Sequence, residues 1–225
     1  MTATTPSAPL GDDVGRDLVR GVCETLGAAA DTLGDLDRRA GDGDFGTNIR
    51  TALALVDENI AADDPQTYRQ WLTALFMGWL GVGGTSGPLF GMFFRDLARA
   101  ADDAPPTAAQ LAEALAAGQA TVQRYGEAEV GDKTMIDALE PAVTALRGAL
   151  EDGREAADAL RAAEEAAVQG ARSTARITAR RGRASYVGDA SQGVIDPGAA
   201  AVALVIGAAR AAVAGGGSPD TSWIA

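Results

Sequence analysis

The sequence predicts an all-α protein. Apolar residues recur at helical spacing along most of the chain. Ala, Leu, Arg and Glu are abundant, while runs of β-branched residues are few. No stretch alternates apolar and polar residues long enough to seed a sheet.

Eight helices follow from the pattern, taken in order. The first covers about 12–33, with Val14, Leu18, Val22 and Leu26 on one stripe. The second runs about 47–61, after a loop rich in Gly and Asp. The third runs about 66–80 and opens near Pro65. The fourth, about 86–101, opens at the turn GGTSGP. The fifth, about 107–125, takes Thr107 as N-cap after Pro105 and Pro106. The sixth runs about 133–150, with Asp132 as N-cap and Lys133 and Thr134 in its first turn. The seventh runs about 154–179. The eighth, about 197–214, starts with Pro197 and is closed by glycines. Residues 1–11 read as a disordered tail, and 12–225 as one domain without repeats or a Pro/Ser-rich linker.

Composition narrows the function. The formal net charge of -12 speaks against nucleic acid as a partner, because phosphate backbones need basic surfaces. There is no histidine, so phosphohistidine, a Ser-His-Asp triad and imidazole metal ligation are all excluded. Any metal must be held by oxygen, which favours Mg²⁺, Ca²⁺ or Mn²⁺. The lone Cys23 allows no internal disulfide and sits in an apolar helical pattern, so the expected compartment is the cytoplasm. The start has neither the basic nor the apolar region of a secretory signal. The most apolar segment, AAAVALVIGAARAAVAGGG, contains Arg210 and reads as a buried core helix, so no membrane span is expected.

Three segments stand out for chemistry. In LGDLDRRAGDGDFGTNI, Asp42 and Asp44 flank Gly43, which lets the chain turn sharply, and Asp37 lies five residues before Asp42. Crowded carboxylates repel unless a cation lies between them. Gly46, Thr47 and Asn48 then open a helix whose free N–H groups can receive an anion. Asp and Gly are also ordinary turn residues, so the segment by itself fits a turn as well as a metal site. It lacks the alternating ligands and terminal Glu of an EF-hand. GVGGTSGPLF brings Thr85 and Ser86 to a helix start, but no GK[ST] follows, so it is not a Walker A loop. GRASYVGDASQGVIDPGA carries Arg183, able to fork onto phosphate, and Asp196, Pro197 and Gly198. The arginines at 172, 176, 180 and 181 read as a solvated helix face near a helix C-terminus.

Together DGDFGTN, GGTSGP, GDKTMIDALEP and GRASYVGDASQGVIDPGA resemble, in order and separation, the nucleotide-binding L subunit of dihydroxyacetone kinase. The same unit forms the C-terminal domain of single-chain ATP-dependent kinases. The resemblance covers about residues 12–214. It implies a barrel of eight antiparallel helices with a polar nucleotide pocket at one end. It also implies two Mg²⁺ ions on Asp37, Asp42 and Asp44, and ADP or ATP held by Phe45, Gly46, Thr47, Asn48, Thr85, Ser86, Gly126, Met135, Arg183, Asp196, Pro197 and Gly198. Two departures are Phe45, where a small or polar residue is frequent, and GVIDPG, where a histidine commonly precedes DPG.

The implied activity is phosphoryl transfer to dihydroxyacetone or a related short ketose held on a separate K subunit. The phosphoryl source is open between exchanging ATP and bound ADP recharged by a phosphohistidine donor of the phosphotransferase system. Alternatives are a kinase subunit for erythrulose or another ketose, a fatty-acid-kinase-type domain sharing the DGDxGTN loop, and a non-catalytic ADP-binding regulator. The length of the chain and its GRASY–DPGA ending argue against the fatty-acid-kinase type.

Overall fold

A computed structural model describes residues 8–182, 185 and 191–224. It contains helices α1 (Val14–Ala40), α2 (Phe45–Asp63), α3 (Tyr68–Leu80), α4 (Ser86–Ala98), α5 (Ala108–Gly126), α6 (Ile136–Glu151), α7 (Ala156–Ser173) and α8 (Pro197–Ala214). Two short 3₁₀ turns follow α7 and α8, at Thr174–Arg176 and Ser222–Ile224. Among the described residues the only extended pairing is a single bridge between Pro9 and Thr107.

Each helix packs against the one before it, and α8 returns to pack on α1. The order is a closed circuit of neighbours running alternately up and down. The connections at 41–44, 81–85 and 127–135, together with Thr174 after α7 and residues 194–196 before α8, therefore share one end, and those at 64–67, 99–107 and 152–155 share the other. The described residues of the motifs singled out from the sequence lie at the first end. It is also where α2, α4, α6 and α8 begin.

Local chemistry sets most boundaries. Thr67 and Thr107 cap α3 and α5 with reciprocal capping boxes through Gln70 and Gln110. Asp196 caps α8 by accepting from Ala199 N–H at 2.7 Å, with Pro197 in the first turn. By length and composition alone α8 could cross a bilayer. Here its residues from Ala199 to Ala208 are all buried, packed against α1, α6 and α7, as a core helix should be.

Several boundaries differ from the sequence reading, among them the end of α4, at Ala98 rather than about 101. Helix α1 continues to Ala40 because buried Leu33, Leu36 and Ala40 prolong its apolar stripe. Asp37 is thereby carried on the last turn of a helix. Helix α7 ends at Ser173 and tightens into the 3₁₀ turn instead of reaching 179. Helix α6 begins at Ile136 rather than 133, so Asp132 is not its cap. Asp132 accepts instead from Glu129 N–H at 2.9 Å.

Beneath the loop end lies an aromatic cluster. Trp79 and Phe90 have centroids 4.5 Å apart, Phe90 and Phe45 stack at 6.0 Å, and Phe93 meets Phe94 edge-on at 5.3 Å. Helices α1 and α2 approach each other most closely at Gly34 and Gly46. A Cβ on Gly46 would stand 2.5 Å from the Ala30 carbonyl oxygen. The Gly46→Ala variant must push the two helices apart. It should lower stability by about 1–3 kcal/mol, read as a lower urea midpoint with unchanged helical circular dichroism.

Candidate functional site

The loop end opens on a cavity of about 400 Å³. Its walls come from every one of the four loops. Asp37, Asp42, Asp44, Phe45 and Asn48 line it from the α1–α2 turn, Thr85 and Ser86 from the start of α4, Gly126 and Met135 from the α5–α6 connection, and Asp196, Pro197 and Gly198 from the start of α8. These residues are spread over 162 positions of sequence, from 37 to 198. Arg183 lies outside the described residues. Two expected residues are not on the wall. Gly46 is buried at the α1–α2 crossing, where the close approach already requires glycine. Thr47 is exposed, and its carbonyl accepts from the Thr51 hydroxyl at 3.0 Å.

The acidic side is organised by the end of α1. Asp37 is buried and accepts from Phe45 N–H at 3.0 Å, the first free amide of α2. Gly43, at φ +82°, turns the chain between Asp42 and Asp44. Asp42 accepts from Asp44 N–H at 3.4 Å. Burial raises the Asp37 carboxyl above its ordinary pKa, the Phe45 N–H opposes this, and neighbouring Asp42 raises it further. Among the described residues no three acidic side chains are gathered around one point as they stand. The donor chemistry nevertheless fits a hard divalent cation, with only carboxylate oxygens and an acid pair whose repulsion a cation would relieve.

Phe45 resolves into two roles. Its side chain is buried in the aromatic cluster, and its backbone N–H serves Asp37. Across the cavity, Asn48 Nδ2 donates to Ser86 Oγ at 3.4 Å, which ties the α2 start to the α4 start. Met135 and the α8 start are equally close: a Cβ on Gly198 would lie 3.1 Å from Met135 Cγ and from Asp196 Oδ2. Leu89, Phe90, Val122, Ala128 and Met135 give the cavity an apolar flank. The result is a cleft with carboxylates and four helix N-termini on one side and hydrocarbon on the other, suited to an anion-bearing ligand with a flat apolar part.

Sequence reasoning missed Lys133. The turn before α6 places it at φ +64° with only 1% of its surface exposed, on the cavity wall. Its ammonium donates to the carbonyls of Thr174 at 2.6 Å and Val194 at 2.5 Å. Asp137 holds the turn by accepting from Gly131 N–H at 2.6 Å and Thr134 N–H at 2.7 Å. Burial lowers the Lys133 pKa, while Asp196 and Asp137 oppose that shift. Burial pushes Asp196 up to about 7, against the Ala199 N–H and Lys133, which favour its charged form. The signal was a lysine between two aspartates just ahead of an apolar helix. The apolar flank was missed because a helical stripe reads alike whether it faces a core or a cavity.

The chain matches the DAK2 domain family over residues 39–211. It is 39% identical over 176 residues to the ADP-binding subunit DhaL of the PEP-dependent dihydroxyacetone kinase of Escherichia coli K12, covering 77% of this chain and 84% of that subunit. It is 36% identical over 184 residues to the L-erythrulose 1-kinase of Mycolicibacterium smegmatis, covering 77% of this chain but 31% of that kinase. Its fold matches the crystal structure of the C. freundii dihydroxyacetone kinase in complex with AMP-PNP and Mg²⁺, with a TM-score of 0.67, 27% identity, and 92% of this chain against 36% of that one. The chain belongs to the DAK2 domain family, and it spans about a third of those two longer kinases.

The raised carboxyls give stability a pH signature. Asp196 and Asp37 both have folded pKa values above their unfolded ones, and for Asp196 the folded state holds the extra proton between about pH 4 and about 7. Their stabilisation is complete below the unfolded value of 3.8 and is lost as pH rises through the folded one. Without divalent cation, the urea midpoint should fall between pH 5 and pH 8, and Asp196→Asn should flatten that fall. An unchanged slope in the variant would remove Asp196 as its source.

Proposed function

We propose that this chain is the nucleotide-binding subunit of a dihydroxyacetone kinase-type phosphotransferase. The observation that carries the reading is the single cavity of about 400 Å³ that gathers the four loops. A cleft of that size is on the scale of small-molecule sites. Its composition matches a nucleoside phosphate. The apolar flank of Leu89, Val122, Ala128 and Met135 would take an adenine ring, and Gly126 leaves space beside it. The amides and hydroxyls at the starts of α2 and α4, from Asn48, Thr85 and Ser86, would take phosphate oxygens.

Asp37, Asp42 and Asp44 would hold Mg²⁺, in the family pattern as two ions. Mg²⁺ supplies charge neutralisation of the phosphates during in-line transfer. The chain's own part is orientation. Asp37 is fixed by the Phe45 N–H on a rigid helix end, and Gly43 aims Asp42 and Asp44 from a short turn. Arg183, in the family pattern, would add a phosphate contact.

The acceptor would be dihydroxyacetone or a similar short ketose held on a K-type partner subunit. This chain offers no histidine to hold a ketose covalently. Turnover in this reading needs that partner. ADP retained through purification would favour recharging by a phosphotransferase-system phosphohistidine donor, and rapid exchange would favour ATP. The work would be done in the cytoplasm, in keeping with the single free Cys23.

The test is calorimetric titration with ADP, with and without Mg²⁺. The wild-type chain should bind Mg·ADP, and Asp42→Ala should abolish the Mg²⁺-dependent part of the affinity. Equal affinities for variant and wild type would sink the reading. Ketose phosphorylation should appear only when a K-type subunit is added.

A further inference from the structure

Lys133 is the most deeply buried charged group in the described residues, and nothing in the function above requires a lysine there. Placing an ammonium out of water is costly unless its protons are bonded and its charge is balanced. Here two of its three protons are bonded, and its charge is balanced, by groups from distant parts of the chain. Two protons go to the Thr174 and Val194 carbonyls, 41 and 61 residues further on. The charge is balanced by Asp137 on α6 and Asp196 at the head of α8.

The bonded carbonyls are not incidental positions. Thr174 Oγ accepts from Asp196 N–H at 2.8 Å and donates to the Ala171 carbonyl at 2.5 Å. The same residue thus touches Lys133 through its carbonyl and Asp196 through its hydroxyl. Val194 lies two residues before Asp196. Gly193 N–H donates to the Ala175 carbonyl at 2.8 Å, and Arg180 N–H to the Asp132 carbonyl at 3.1 Å. Both ends of the α7–α8 connection are thereby gathered onto the α5–α6 turn, with the lysine at the centre. What the ammonium fixes is the line Asp196, Pro197 and Gly198, one wall of the cavity.

We propose that Lys133 is a positioning residue for the nucleotide site: its two carbonyl bonds lock Thr174, at the end of α7, and Val194, just before the head of α8, against the cavity. This rests on the nucleotide reading and extends it. Lys133 acts through the wall it holds, so its loss loosens nucleotide binding without removing a ligand contact. The positive φ fits this role, since a non-glycine residue accepts that backbone only where its surroundings over-determine it.

The test compares three variants of the full chain. Lys133→Met keeps the length of the side chain but cannot bond the carbonyls. Thr174→Val leaves the Lys133 bonds in place and removes the acceptor for Asp196 N–H. Gly15→Ala is a remote control at the opposite end, where a Cβ would stand 2.8 Å from Tyr68 Cα. The Kd for Mg·ADP is measured at a temperature where each variant is folded, together with amide exchange at residues 194–199. Lys133→Met and Thr174→Val should each weaken Mg·ADP about tenfold or more and speed exchange at 194–199. Gly15→Ala should leave both within twofold. Affinity within twofold of wild type for Lys133→Met overturns the proposal, as does an equal loss in the control. Should Lys133→Met not fold, Lys133→Gln, uncharged and too short to span both carbonyls, decides by the same threshold. Should the wild-type chain not bind Mg·ADP, the function above falls, and the lock is still decided by exchange: unchanged protection of 194–199 overturns it.

Discussion

The structure depends on one topological constraint, the strict alternation of eight helices around a closed circuit. Alternation puts the starts of α2, α4, α6 and α8 at the same end. Four sets of free amides and four positive helix ends then share one small volume. Left alone, that concentration would be costly. It is answered by carboxylates placed at the same end: Asp37 on Phe45 N–H, Asp137 on Gly131 and Thr134 N–H, and Asp196 on Ala199 N–H. The site is thus a local excess of donors partly quenched by acids, and its remaining donors and acids are what an anion with a cation can satisfy together.

That balance explains why the carboxyls are unevenly perturbed. Asp196 is pushed up to about 7 by burial, although an amide and a lysine favour its charge. Asp37 is raised for the same first reason, with Asp42 adding to it. The acidity of the chain, -12 overall, is therefore not spread evenly in its effect. Most aspartates and glutamates are solvated at the surface, often beside an arginine, as in the exposed Arg147–Glu113 and Arg16–Asp13 pairs. At the cavity the two kinds meet: Asp37 and Asp196 are withdrawn from water, while Asp42 and Asp44 stay exposed at its rim.

Much of this was legible in the sequence, and the rest was hidden for physical reasons. Helical spacing of Val14, Leu18, Val22 and Leu26 identifies α1, and Thr107 and Pro197 mark the starts of α5 and α8. Spacing does not say where an amphipathic helix stops when small residues continue its stripe. Gly34 and Ala40 therefore concealed the last two turns of α1, which carry Asp37. Glycine had the opposite effect. Gly46 reads as part of a phosphate loop, yet its place at the α1–α2 crossing already accounts for it. Lys133 was out of reach because its partners are carbonyls 41 and 61 residues away, and a carbonyl acceptor leaves no mark on residue identity. Asp37, Asp42 and Asp44, which line the cavity, could be singled out because three carboxylates within eight residues are visible in one dimension.

The contact between α1 and α8 has a consequence of a different kind. Since α1 begins and α8 ends at the end remote from the cavity, both outlets of the helical circuit emerge on the same far side. The chain before α1 is held on that side, where Leu10 N–H donates to the Pro106 carbonyl at 2.8 Å. The chain after α8 does not stay there: Pro219 packs beside Gly207 in the middle of α8, and Trp223 lies under the Arg172 guanidinium at 6.0 Å, in the last turn of α7. The two outlets therefore part company, and the segment after α8 returns along the outside of the circuit toward the working face.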